Sequence, residues 1–467
     1  MTSNVELGEI IEAEEHMMIN SNTSNQTSID IGDVKVIASG IQRKLFHKPP
    51  ASSQCSIFRV PNKLRKHMEK VFVPVVVSIG PFHRPGNKRL EAMEKTKLIG
   101  PFDHPGNKRL EAMEKTKLWY LHGLLSRAPT ERTTLEYFVQ EIGSMEQHCR
   151  ESYAEEIHLS KEEFIEMMVV DGCFIIEFLR KYLKMGPVPD KEDPVFNMSW
   201  MPWQIGVDLL LLENQLPWCV LDCLFNSTKS KKVDHRSVLD LIVNWLSKSR
   251  GTSLGNVPGD TENKHLLDCY RNRLAGSYQA HHVSSAKWDL IPSATELQQA
   301  GIRFEVGDKR KKLDVTFKSG VMKIPSISIQ EYTESDFRNI IAYEQCDLRR
   351  DLKVTSYVVL LDNLINTSKD VDLLRRQKIL QISQSNEDVA NYLNRLYQDV
   401  YIDDFLYKDL YVDVNKYYEQ TWNRWRTILK RDYFNTPWMA MSVIAAIFIL
   451  SFTFLQTFYS VISYYKK

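Results

Sequence analysis

Residues 437–463, PWMAMSVIAAIFILSFTFLQTFYSVIS, run for 27 positions without a charged side chain. A helix needs about 20 predominantly apolar residues to cross a bilayer, so this run can span with some tilt. Trp438 stands at one end and Tyr459, Tyr464 and Tyr465 at the other, as expected of rings that settle at headgroup level. Ile444, Phe448, Leu450 and Phe454 fill the middle, where Gln456 is the one strongly polar residue. A buried core helix is the alternative, and so long an uncharged stretch at a chain end argues against it. The expectation is one transmembrane helix, with nearly all the rest folding on one side of the lipid.

Two observations predict which side. The first twenty residues, MTSNVELGEIIEAEEHMMIN, contain neither a basic segment nor an apolar core of signal-peptide type. Arg424, Arg426, Lys430 and Arg431 precede the apolar run, whereas Lys466 and Lys467 alone follow it. The positive-inside rule then places the large N-terminal part in the cytosol, a tail-anchor topology. Glycosylation sequons at Asn22, Asn25, Asn197, Asn226 and Asn366 point the other way; such triplets are common by chance and carry little weight. Nothing selects the plasma membrane over an endomembrane.

Lys and Arg number 60 against 59 Asp and Glu, so no global field favours a nucleic-acid partner. The expected partners are the bilayer and another protein. The seven cysteines are scattered without a CxxC, which is neither a disulfide framework nor a zinc set, and suits a reducing compartment. Cys219 and Cys223, four apart in an apolar run, read as buried structural thiols.

The domain reading is a disordered acidic tail over 1–40, a helical domain over 41–420, a basic juxtamembrane segment over 421–436, and the span. Residues 1–34 hold seven acids and no Lys or Arg. IGPFHRPGNKRLEAMEKTKL (79–98) is followed at once by IGPFDHPGNKRLEAMEKTKL (99–118), which differs at His83/Asp103 and Arg84/His104. Two near-identical copies are too few for a solenoid; the second copy is expected to sit as an inserted loop and helix.

Helical patterning covers 108–127, 161–184 after the capping signal Ser160-x-x-Glu163, 334–348, 353–366 and 386–400. The apolar stretch 205–225 predicts a central buried helix pair broken at Pro217. Alternation at Ile302, Phe304, Val306 and at Leu313, Val315, Phe317, followed by VMKIPSISI, predicts a small antiparallel β meander. Lys309-Arg310-Lys311-Lys312 between those strands reads as a solvated hairpin tip, although its composition is that of a nuclear-localisation run. The fold class is therefore mainly α with a small meander and one C-terminal transmembrane helix.

Eight segments carry a resemblance: IFRVPNKLRK (57–66), VPVVVSIGPFH (73–83), MMVVDGCFIIEF (167–178), DLLLLENQLPWCVL (208–221), SATELQQAGIRF (293–304), LDVTFKSGVMKIP (313–325), ESDFRNIIAYEQC (334–346) and VTSYVVLLDNLINTSKDV (354–371). In this order the chain resembles the plant domain-of-unknown-function-247 family of membrane proteins (DUF247, UPF0481-type) over about 55–460, departing from it by the second 20-residue copy. The resemblance implies a predominantly helical plant membrane protein with no biochemical activity established for the family at large. Some grass members are implicated in pollen self-incompatibility, which favours recognition over catalysis.

Asp171 and Glu177 lie in one apolar helix, and Asp208, Glu213 and Asp222 in the next apolar stretch. Such carboxylates must pair, accept hydrogen bonds or take up a proton. Two brought together could do general acid–base work, and Asp171, Glu177, Asp208 and Glu213 are the candidate catalytic acids. The structural alternative is stronger, because Arg180 and Lys181 are near and Asn214 and Gln215 can satisfy backbone at the Pro217 break. There is no GxSxG, HExxH, P-loop or GxGxxG; Cys173 with His158 is composition alone, and the His281-His282 doublet lacks further metal ligands. No cofactor or metal is expected. Two readings stand: a membrane-anchored interaction or signalling protein, and a membrane-tethered hydrolase using paired acids.

Overall fold

The computed structural model describes residues 31–43, 54–66, 68–84, 105–127, 131–185, 192–229, 237–251, 262–276, 289–396, 398–402, 404–420 and 437–465. They fall in two units, Met1–Ser52 and Ser53–Lys467. The first contributes helix α1 (Ile31–Gln42), so the end of the stretch read as a disordered tail is helical.

The second unit is mainly helical: α2 (Asn62–Arg65), α3 (Pro105–Arg127), α4 (Leu135–Ser144), α5 (Glu146–Glu151), α6 (Lys161–Tyr182), α7 (Met201–Asp208), α8 (Trp218–Ser227), α9 (Val238–Ser249), α10 (Leu266–Ala275) and α11 (Ala294–Gln299) precede the sheets. After or between the strands come α12 (Thr333–Cys346), α13 (Lys353–Leu364), α14 (Ser368–Arg376), α15 (Asn386–Leu396), α16 (Lys408–Glu419) and α17 (Pro437–Tyr465).

Helix α6 is the axis of the N-terminal half. Its start is fixed by a capping box: Glu163 N–H donates to Ser160 Oγ at 3.1 Å and Ser160 N–H to Glu163 Oε2 at 2.9 Å. From Phe164 onward its side chains are nearly all buried, with α3, α4, α8 and α9 packed around it. A helix apolar on every face has to be surrounded in this way. Gly172 lets α8 approach: a Cβ there would meet Leu224 Cδ1 at 2.5 Å.

Two sequence expectations change. The helix pair expected over 205–225 is not broken at Pro217 alone. Helix α7 ends at Asp208 and residues 209–217 form a buried non-helical run, with Pro217 capping α8. Side chains within the run supply the partners a helix would have provided: Gln215 Nε2 donates to the carbonyls of Leu209 and Leu211, both at 2.8 Å.

The meander is also replaced. β1 (Arg303–Val306) pairs in parallel with β3 (Val321–Ile324), and β2 (Thr316–Lys318) pairs antiparallel with β3, giving the order β1-β3-β2. The β2–β3 hairpin turns at Ser319 and Gly320, both at positive φ (51° and 78°), the two-residue geometry that matches strand twist. β4 (Ile327–Ile329) leaves to pair in parallel with β5 (Leu380–Ile382) in a second sheet. Alternation marks a strand but does not choose its neighbour. The basic run 309–312 therefore belongs to a crossover between strands that do not pair, with Lys309, Arg310 and Lys311 exposed.

Helix α17 is exposed along its described side chains; Leu450 and Phe454 are about 70% accessible. Ile444–Ile462 is long and apolar enough to cross a bilayer. Three of its hydroxyls are satisfied by their own helix: Ser451 donates to Ile447 O, Thr453 to Ile449 O and Thr457 to Thr453 O, each at 2.8 Å.

Candidate functional site

Residues 73–83, VPVVVSIGPFH, cross the N-terminal half without helix or strand, and from Val76 to His83 every residue is buried. Backbone in that state needs a partner for each polar group. The partners are the acids and amides singled out from sequence. Asp208, at the end of α7, takes N–H bonds from Val75 (3.1 Å), Val76 (2.7 Å) and Val77 (2.9 Å), with a fourth from Gln204. Asn214 accepts from Ile79 N–H at 2.6 Å and donates to Val77 O at 3.0 Å. Asp171, in the middle of α6, accepts from Gly80 N–H at 2.8 Å.

Gly80 is required there. Its φ is +70°, and a Cβ would lie 2.7 Å from the Gln215 carbonyl oxygen. Tyr153 Oη donates to that same oxygen at 3.1 Å, and its ring meets Phe82 edge-on at 5.6 Å.

The next cluster centres on Glu213, whose side chain is fully buried. Arg65 donates to one carboxylate oxygen, which also accepts from Val60 N–H at 2.7 Å. His83 Nε2 lies 3.1 Å and Arg59 Nη1 3.5 Å from the other oxygen. Burial by itself would raise the Glu213 pKa, yet His83 and Arg65 outweigh it and hold the carboxyl at about 2. Asp208 goes the other way: burial beats its hydrogen bonds and lifts it to about 6.

Lys117 completes the group. It is 1% exposed, and Nζ donates to Ser78 O (2.5 Å), Asp171 (2.7 Å) and Glu114 (2.6 Å). Asp171 and Lys117 form the floor of an open cleft of about 260 Å³ whose rim carries Arg84, Glu114 and Glu166.

Asp171, Asp208 and Glu213 are thus brought to one segment, and each is taken up by donors from residues 59–83, by Lys117 or by Gln204. Glu177 is buried further along α6, and Asp222 is half-buried on α8, accepting from Asn226 at 3.2 Å. Of the candidate catalytic acids, Asp171 alone lines the open cleft. Cys173 is buried well inside α6, whereas His158 is exposed before that helix begins; the two do not meet. His281 and His282, and the basic Arg424, Arg426, Lys430 and Arg431, lie outside the described residues, and of Trp438 the helical backbone is described. Among the described residues no three His, Cys, Asp or Glu side chains are grouped to hold a metal.

Sequence reasoning missed Lys117, Arg59, Arg65 and His83. Three of the four lie in segments already quoted for the resemblance; Lys117 stands in a charged helix that reads as solvated.

The tandem copies contribute unequally. The buried turn is the first copy's Ile79–His83, and the helix that brings Lys117 is built from the second copy, within Pro105–Arg127. The second copy is therefore not a plain insertion: one working unit is assembled from the front of one copy and the back of the other.

The family model described as a plant protein of unknown function, DUF247, matches residues 57–99 and 98–452, dividing within the tandem repeat. UPF0481 protein At3g47200 from Arabidopsis thaliana is 28% identical over 450 residues, covering 90% of this chain and 89% of the relative. Putative UPF0481 protein At3g02645, from the same plant, is 31% identical over 181 residues, which are 38% of this chain and 34% of the relative. No solved structure matches the chain.

Proposed function

Because this chain belongs to the DUF247 family of plant proteins, for which the matching description gives no activity, we propose from its own chemistry that it is a single-pass, tail-anchored membrane protein whose helical domain recognises another protein. The observation that carries the anchor is α17: apolar, exposed from Ile444 to Val461, and with the hydroxyls of Ser451, Thr453 and Thr457 bonded to carbonyls one turn back. Water does not demand that economy, but hydrocarbon does, since an unsatisfied polar group there costs several kcal/mol. The basic residues Arg424, Arg426, Lys430 and Arg431 support a cytosolic domain. Recognition is favoured over hydrolysis because Asp171 and Asp208 are engaged in holding the 73–83 segment and Glu213 in pairing with Arg65 and His83.

Alkaline carbonate extraction of membranes from cells expressing the full chain tests the anchor. The full chain should remain in the pellet, and a chain ending at Thr436 should appear in the supernatant. Equal partition of the two sinks the proposal. Protease protection of vesicles, with tags at both termini, tests the topology: the N-terminal tag should be digested on intact cytosol-side-out vesicles. Crosslinking before detergent capture tests recognition; if the chain is recovered uncrosslinked at every reagent concentration, that part fails.

A further inference from the structure

Helices α5 and α8 bring two sulfurs together. Cys149, fully buried near the end of α5, has its Sγ 3.9 Å from Sγ of Cys219. Cys219 is partly exposed and occupies the first turn of α8, directly after the Pro217 cap. We propose that Cys149 and Cys219 are a peroxide-responsive thiol pair that closes reversibly to a disulfide between α5 and α8.

The two sulfurs have different tasks. Cys219 can meet a small oxidant from solvent, and Cys149 is held behind it as the resolving thiol. The Cys149 thiol and the N–H groups at the start of α8 favour the Cys219 thiolate, so its pKa is lowered, whereas those of Cys55, Cys149, Cys173, Cys223, Cys269 and Cys346 are raised. A thiolate at a helix N-terminus is the reactive form.

In the first step the Cys219 thiolate attacks hydrogen peroxide: an S–O bond forms, the O–O bond breaks, and the departing hydroxide takes a proton to become water. In the second, Cys149 sulfur attacks the Cys219 sulfenic sulfur. The S–S bond forms, the S–O bond breaks, and the hydroxyl leaves as a second water with the Cys149 proton. Two thiols lose two electrons in total and one peroxide becomes two waters.

Closure would act on the turn described above. Tyr153 lies four residues after Cys149 and Gln215 four before Cys219, and they are already joined by a 3.1 Å hydrogen bond against which Gly80 packs. A covalent link four residues away on each side would clamp the same wall. The proposal stands whether or not α17 is in lipid.

The test uses the full chain, reduced and detergent-solubilised, exposed to increasing hydrogen peroxide, quenched with N-ethylmaleimide and mapped by mass spectrometry. The expected result is a crosslinked peptide pair containing Cys149 and Cys219, two hydrogens lighter than the reduced peptides and restored by dithiothreitol. It should form at least tenfold faster than oxidation at any other cysteine. Cys149→Ala should leave a dimedone-trappable sulfenic acid at position 219, Cys219→Ser should abolish both products, and Cys223→Ser should leave the crosslink intact. The proposal is overturned if excess peroxide gives no Cys149–Cys219 crosslink in the unaltered chain, or if another cysteine oxidises first. Should Cys149→Ala fail to fold, the unaltered chain and Cys219→Ser suffice for that decision.

Discussion

Glu213 and Asp208 are five residues apart in one buried run, and their surroundings drive them in opposite directions. Glu213 titrates at about 2 in the folded chain against 4.5 when unfolded. Its stabilisation is therefore complete above pH 4.5 and is lost as pH falls toward 2. Asp208 is raised to about 6 against 3.8, so its contribution is complete below 3.8 and lost as pH rises through 6. Each difference corresponds to on the order of 3 kcal/mol at the extremes. These two groups together predict a stability maximum between roughly pH 4 and 5. Urea unfolding from pH 3 to 7 checks this, and Asp208→Asn should flatten the limb between pH 4 and 6; an unchanged slope in that variant refutes the assignment. Glycines offer a sharper contrast. Gly80→Ala forces a Cβ against Gln215 at positive φ and should cost at least roughly 2 kcal/mol. Gly123→Ala, inside α3 with open space around it, should stabilise by about 0.5–1 kcal/mol. Thermal melts of both variants give the comparison. Asp171 was legible as a problem, a carboxylate inside an apolar helix, but its solution was not. Lys117 lies 54 positions away in a stretch whose composition suits a solvated face, and local patterning carries no information about contacts of that range.

Helices were the most readable elements because their signals are local. Ser160 and Glu163 announce the start of α6, and Val389, Tyr392, Leu393 and Leu396 give α15 its buried face. Strand pairing and the 209–217 run were hidden because both are decided by distant partners. The tandem repeat belongs to this scale too. Either copy could supply the turn or the helix, and two constraints choose. His83 faces Glu213, where the second copy would offer Asp103, a like charge in a buried site. Lys117 is continuous with the buried Tyr120, Leu121 and Leu124 of α3, a continuity Lys97 lacks in sequence. Deleting residues 85–104 joins Arg84 to Pro105 and restores a single IGPFHRPGNKRLEAMEKTKL. The shortened chain should fold with a melting temperature within a few degrees of the parent; failure to fold would show that the extra residues are needed. His83→Asp should instead lose about 3–5 kcal/mol, read by the same melts.

Across the whole molecule, four of the segments that carry the family resemblance meet around the stretch 71–83: 57–66 brings Arg59 and Arg65, 167–178 brings Asp171, 208–221 brings Asp208, Glu213 and Asn214, and 334–346 brings Asn339. That last residue accepts from Leu212 N–H at 2.9 Å and donates to Val71 O at 2.8 Å. Further buried ion pairs, Arg250–Asp336 and Arg271–Glu344, both at 2.8 Å, tie the C-terminal helices to the rest. The mutual dependence of 73–83 and 208–215 also dictates an order of events in biosynthesis. Neither stretch can shed water until the other arrives, and more than 130 residues separate Val76 from Asp208. A nascent polypeptide must therefore keep VPVVVSIGPFH hydrated, or shielded by a chaperone, until the ribosome has released Gln215.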